Sequence, residues 1–235
     1  MPTPLALDVI KRLGPAYGTI QSAFTHGVAF DPTTSDRKFH VCTKDIMQAV
    51  TLPKLLQRLK DVAPSIRLEL SEVSLSTGKL LETGRADLAL GLVPHLGAGF
   101  IQEKLYSERF VCAVRVGHPR IRGRIALKQY LEESHVMVGR QSDIVEKTLQ
   151  SKGLRRKEGL RIPTWLGLSI ILPNTDYLAT LPERLGKFYA RSGDICLLEL
   201  PFSTPLFVVK LHWHERFRND SGIRWFRSIL KDIST

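Results

Sequence analysis

The chain is poor in the residues that build most redox and catalytic centres. Its 235 residues include only three cysteines, Cys42, Cys112 and Cys196. They lie far apart and form no Cys-x-x-Cys pair. Each falls in an apolar, strand-like run, which suits a buried reduced thiol better than a disulfide. A reducing cytoplasm is the setting this implies. No unbroken apolar run approaches the ~20 residues a membrane helix needs, so no membrane partner is expected. The amino terminus lacks a charged start followed by an apolar core, which argues against a signal peptide. Nucleophile elbows, phosphate-binding loops and His/Cys clusters are missing. Gly91-Leu92 and Gly97-Ala98-Gly99 are too isolated for a dinucleotide site. No catalytic residue and no cofactor is therefore expected.

Acidic residues are also scarce relative to basic ones. There are 23 Asp and Glu against 34 Lys and Arg, a formal net charge of +11. Such a balance points to an anionic partner, often nucleic acid, or to a solvated basic surface. The charge is spread along the chain, with one local cluster at Lys152, Arg155, Arg156 and Lys157. No arginine-rich helix or aromatic nucleic-acid platform accompanies it.

What the chain does have is a βαβ rhythm. Leu5, Val9, Leu13, Tyr17, Ile20 and Phe24 form one apolar stripe on a first helix, kinked at Gly14-Pro15. A turn-rich stretch from Gly27 to Arg37 isolates it. Lys38 to Cys42 reads as a buried strand. Thr43 and Asp45 suit the start of a helix carrying Ile46, Val50, Leu55, Leu59 and Val62, with Pro53 in its first turns and Pro64 at its end. Ile66, Leu68 and Leu70 alternate as a half-buried strand. Thr77 opens a short helix that Gly84 ends in the left-handed conformation. Asp87 to Gly91 is the third strand. Open parallel sheets bind ligands at the carboxyl ends of their strands, here Thr43-Lys44-Asp45 and Gly91-Leu92-Val93-Pro94.

Phe100 to Arg115 reads as paired strands. A second βα set follows. Its helices are expected at 125–131, 144–149, 165–172 and 182–189, and its strands at 135–138, 160–162, 177–180 and 195–198. A long strand at 206–213 and an amphipathic helix at 221–233 close the chain. The fold class is α/β, with two Rossmann-like lobes. Residues 31–116 and 207–235 form lobe I, 117–206 form lobe II, and residues 1–30 hold a separate helix. Two chain crossings make a hinge, and a cleft between lobes is the default ligand site.

Several motifs carry a resemblance. Phe39, Asp45, Leu52-Pro53-x-Leu55-Leu56, Ala63-Pro64 and Leu81-x-x-Gly84-x-x-Asp87-Leu88-Ala89-x-Gly91 keep an order and spacing similar to the effector-binding region of LysR-type transcriptional regulators. Leu92-x-Pro94-x-Leu96-x-x-Gly99-Phe100, His118-Pro119, Asp176-x-Leu178-Ala179-Thr180-x-Pro182-x-Arg184-Leu185 and Trp213-His214 resemble the subgroup of naphthalene–salicylate and nodulation regulators. The resemblance covers nearly the whole chain and implies lobes of periplasmic-binding-protein type. The helix at 4–24 is similar to the linker helix that follows the DNA-binding domain in these proteins. No winged helix-turn-helix of about sixty residues precedes it. The chain by itself is then a sensor and assembly module, a homodimer or homotetramer that meets DNA only through an N-terminal domain.

Lys44 is the sharpest candidate. It stands at a strand end, just before a helix start, where relatives commonly place serine or threonine. With Thr43 it could hold an effector carboxylate or phenolate. A solvent-facing lysine, or a pair with Asp45, is the other reading, and the strand-end position favours the ligand role. Gly91, Leu92, Pro94 and Phe100 belong to the neighbouring strand end. The resemblance adds Thr164, Trp165, Leu168 and Phe202 from the facing lobe. Some close relatives carry histidine where Thr164 and Phe202 stand, so this pocket should prefer a more apolar ring, halogenated ones included. Trp165 and Phe202 could instead be core residues. His212 and His214 share one strand face, a zinc spacing without a third ligand, and the family's Trp-His accounts for them more simply. The function implied is sensing of a small aromatic inducer to control catabolic genes. A free-standing solute-binding protein for aromatic acids is the alternative, and an enzyme on two such lobes is a third possibility.

Overall fold

The computed structural model describes residues 30–93, 96–139 and 144–234, together with Leu13. The linker helix expected over residues 1–30 falls almost entirely outside the described residues. The chain divides into two compact units, one made of Met1–Lys44, Thr51–Tyr106 and Val208–Thr235, the other of Asp45–Val50 and Ser107–Phe207.

The first unit is built on a five-stranded sheet. Its strands are β1 (Lys38–Thr43), β2 (Arg67–Glu72), β3 (Leu88–Gly91), β4 (Phe100–Glu108) and β10 (Phe207–His214), in the order β2-β1-β3-β10-β4. β1 runs parallel to β2 and β3, whereas β10 is antiparallel to β3. Helices α2 (Leu52–Val62), α3 (Thr77–Glu82) and α8 (Ser221–Asp232) belong to this unit. The α8 stripe of Ile223, Phe226, Ile229 and Leu230 is buried, as its spacing requires. Phe226 stacks on Phe39 of β1 with ring centroids 4.4 Å apart. Gly84 follows α3 at φ +71°, and a Cβ there would meet the Phe217 ring at 2.7 Å. Conformation and space thus both demand glycine.

One ion-pair network ties this unit together. Arg37 donates to Asp87 and to Asp220, each at 2.8 Å. Asp220 also caps α8, accepting the Ile223 amide at 2.8 Å. The other Asp87 oxygen accepts the His40 amide at 2.8 Å, and the Asp87 amide donates back to the His40 carbonyl at 2.9 Å. Burial pushes the Asp87 carboxyl up, and the His40 amide and Arg37 oppose that.

The second unit repeats the plan. β5 (Phe110–Arg115), β6 (Ser134–Val138), β7 (Lys157–Ile162), β8 (Leu178–Pro182) and β9 (Ile195–Leu198) are ordered β7-β6-β8-β5-β9. β6 is parallel to β7 and β8, and β5 is antiparallel to β8 and β9. Helices α4 (Leu127–Glu132), α5 (Ile144–Gln150), α6 (Leu168–Ile171) and α7 (Glu183–Ala190) join it. One apolar cluster gathers Leu168, Leu172, Leu181, Leu185 and Tyr189, and a second gathers Ile121, Ile125, Tyr130, Leu149 and Leu198.

The structure departs from the sequence reading at four places. The single helix expected after Asp45 is two, because Pro53 sits in the first turn of α2 and its missing N–H suits a fresh start. The first piece, α1 (Ile46–Val50), belongs to the second unit, where Ala49 is buried beside Leu168 and Leu185. β4 and β5 do not pair with each other, since each completes a different sheet. Phe110–Arg115, read with the first lobe, is therefore hydrogen-bonded in the second. The helix expected from Trp165 begins only at Leu168 and runs into a 3₁₀ turn at Leu172–Asn174. All three cysteines are free thiols, with Cys42 and Cys112 buried and Cys196 half-buried.

Two measurements check these cores. Asp87→Ala removes the Arg37 pair and orphans the His40 amide, and should cost about 2–4 kcal/mol in urea unfolding. His135 is fully buried, its Nε2–H donating to the Tyr130 carbonyl at 2.6 Å. Burial lowers its pKa from 6.5 to about 4. The unfolded chain binds this proton near pH 6.5 and the folded one resists it. Stability should therefore fall between pH 6.5 and about 4, with a slope contribution of up to about 1.4 kcal/mol per pH unit. His135→Gln should flatten that part of the curve.

Candidate effector-binding site

The carboxyl ends of β1 and β3 lie side by side, Thr43 opposite Leu90. Thr43 is buried, and its hydroxyl donates to the Leu90 carbonyl at 3.1 Å. That bond holds the end of β1 against β3. The next residue, Lys44, is exposed and has no ion-pair partner among the described residues. Asp45 does not pair with it, because its carboxylate is engaged elsewhere. On β3, Gly91 takes φ +116°, and its carbonyl accepts from Nε2 of the buried His212 at 3.1 Å. Leu92 follows with 56% of its surface exposed. Phe100 is half-buried, edge-on to His214 at 5.1 Å. Thr43, Lys44, Gly91 and Leu92 thus form one polar and apolar rim of the first unit. Pro94 lies outside the described residues.

In the second unit, Thr164 is exposed and Trp165 is half-buried against the Leu168 cluster. Leu168 itself is fully buried in that cluster, beneath the surface. Phe202 packs edge-on to Tyr130 at 5.2 Å, in the other apolar cluster. Trp165 and Leu168 are therefore neighbours, whereas Phe202 sits apart from them.

Sequence reasoning read Asp45 only as a helix-start residue. The structure gives its carboxylate a longer reach. Asp45 Oδ2 accepts the Leu166 amide at 2.9 Å, 121 residues away. Beside it the Tyr189 hydroxyl donates to the Trp165 carbonyl at 2.8 Å. Burial raises the Tyr189 pKa, and the Asp45 charge adds to the rise. The Thr164–Leu166 turn is thus pinned at two points by Asp45 and Tyr189. Nothing local in the sequence announces either bond.

His212 and His214 are both occupied. His212 serves the β3 carbonyl, and Nδ1 of His214 accepts the Arg216 amide at 3.3 Å. No group of three His, Cys, Asp or Glu is placed for a metal among the described residues. No helix among them is long and apolar enough to cross a membrane. A separate cavity of about 580 Å³ opens at the opposite end of the first sheet, lined by Arg37, His40, Arg85, Asp87 and Phe217. The Arg37 network already satisfies much of its charge.

Two mixed five-stranded α/β sheets, together with the likenesses that follow, mark an effector-binding domain of a regulator rather than an enzyme. The chain belongs to the LysR family, whose substrate binding domain matches residues 33–234. It is 32% identical to the HTH-type transcriptional activator NagR of a Ralstonia species, over 99% of this chain and 78% of that protein. Nodulation protein D 1 of Sinorhizobium fredii is 28% identical, over 98% of this chain and 73% of its own. A probable transcriptional regulator from Pseudomonas aeruginosa of known crystal structure superposes with a TM-score of 0.84 at 29% identity. The match covers 99% of this chain and 78% of that one. The resemblance read from Phe39 through Gly91 is thereby borne out.

The Asp45 contact can be tested directly. Asp45→Ala leaves the half-buried Leu166 amide without its acceptor, and should lower stability by about 1–3 kcal/mol in chemical denaturation.

Proposed function

We propose that this LysR-family chain senses a small acidic aromatic or phenolic effector and so controls transcription of catabolic genes. The exposed ammonium of Lys44 at the carboxyl end of β1 carries this reading. A cation at a strand end, on the same rim as the apolar Leu92, offers the two features such a ligand needs. An effector changes output only if it binds two arrangements of the regulator with unequal affinity. The resemblance further supports a homodimer or homotetramer in the cytoplasm, with an N-terminal domain as the reader of operator sequence.

Titration calorimetry with salicylate, benzoate and chlorophenols tests the reading. Lys44→Ala should weaken the acidic ligands about tenfold or more, equal to about 1.4 kcal/mol, and leave neutral benzyl alcohol unchanged. Unaltered affinity for every acidic aromatic would remove Lys44 from the site.

A further inference from the structure

We propose that the second unit carries a basic face that binds the phosphate backbone of duplex DNA without reading its sequence. It revises the expectation that DNA is met only through an N-terminal domain, and it is independent of which effector is sensed. Residues 120–157 contain ten Lys and Arg against four Asp and Glu, so this stretch carries +6 of the net +11. Among the described residues the local acids are already engaged. Glu133 accepts from Arg120 at 2.7 Å, and Glu146 holds Arg156, whose side chain is only 2% exposed. Arg156 therefore leaves the basic cluster read from the sequence. Arg122, Arg124, Lys152 and Arg155 are exposed and have no acidic partner among the described residues.

Two turns present these cations. Arg122-Gly123-Arg124 is a γ-turn, closed by the Arg124 amide on the Arg122 carbonyl at 2.8 Å with Gly123 at φ +70°. Such turns are rare and strained, and this one sets two guanidinium groups two residues apart. Lys152 lies on a second turn, with Gly153 at φ +70° and the Leu154 amide on the Leu149 carbonyl at 2.9 Å. Ile121 and Ile125 flank the first turn, and Leu149 and Leu154 flank the second. All four pack into one apolar cluster, so a common base anchors both turns.

The face is charged and lacks apolar anchors. Among the described residues, no large apolar side chain between 118 and 160 is strongly exposed. Protein interfaces rest on aromatic or aliphatic anchors, and single strands need stacking rings. Backbone contacts on a duplex need neither, and the guanidinium fork matches phosphate oxygens.

Fluorescence anisotropy of this chain with a labelled duplex of arbitrary sequence, across a salt series, tests the proposal. Arg122→Ala/Arg124→Ala should weaken binding about tenfold and reduce the log–log salt slope by about 2, equally for unrelated sequences. Thermal unfolding should be unchanged, since both side chains are exposed and unpaired. Arg218→Ala/Arg224→Ala, removing the same charge from exposed positions of the first unit, should have little effect. Equal loss in that control, or undiminished binding by the first variant, would overturn the proposal. So would loss of poly-glutamate binding with duplex binding intact, which would assign the turn to an acidic protein.

Discussion

The contact between Arg37 and Asp87 sets the geometry on which the first unit's proposed ligand-binding end depends. Asp87 grips His40 through both its backbone amide and its carboxylate, one residue before β3 begins. That double grip dictates the β1–β3 register, so that Thr43 falls opposite Leu90 and its hydroxyl reaches the Leu90 carbonyl. A slip of one residue would send Thr43 to the other face of the sheet and Lys44 with it. Arg37 supplies a countercharge that opposes the upward push of burial on the Asp87 carboxyl. Its second bond, to Asp220, extends the same network to the amino end of α8.

A comparable economy governs the second unit. Asp45–Val50 leaves the end of β1 and supplies that unit with a buried alanine and one carboxylate. The carboxylate and the Tyr189 hydroxyl hold the turn at Thr164–Leu166. The residue adjacent to the proposed ligand-binding lysine is thus committed to structure, which leaves Lys44 as the uncommitted charge of the pair.

Much of this was legible in the residues. The periodicity of 38–62, the alternation at 66–70, and Gly84 with Asp87 place β1, α2, β2, α3 and β3 close to their observed bounds, because each is a local pattern with one buried face. The unreadable parts are non-local. Whether the helix after Asp45 continues through Pro53 depends on where Ala49 finds its core. Whether β4 and β5 pair depends on which strands far along the chain each one meets, β10 for β4 and β8 and β9 for β5. Asp45 and Leu166 meet across 121 residues, and Arg156 looks like any surface arginine until Glu146 draws it inward. Apolar periodicity encodes faces, and it does not encode partners.

Strand order has a consequence for how the protein is made. The first sheet is completed through β10, which pairs with β3 although it lies near the end of the chain. The second sheet draws all five of its strands from one continuous stretch. On the ribosome, the later-encoded half can therefore finish its sheet while the earlier one still waits, with the far edge of β3 bare. The half synthesised first is the last to close, and its open strand is the point at which a slow or crowded translation run would recruit a chaperone or a stray neighbour.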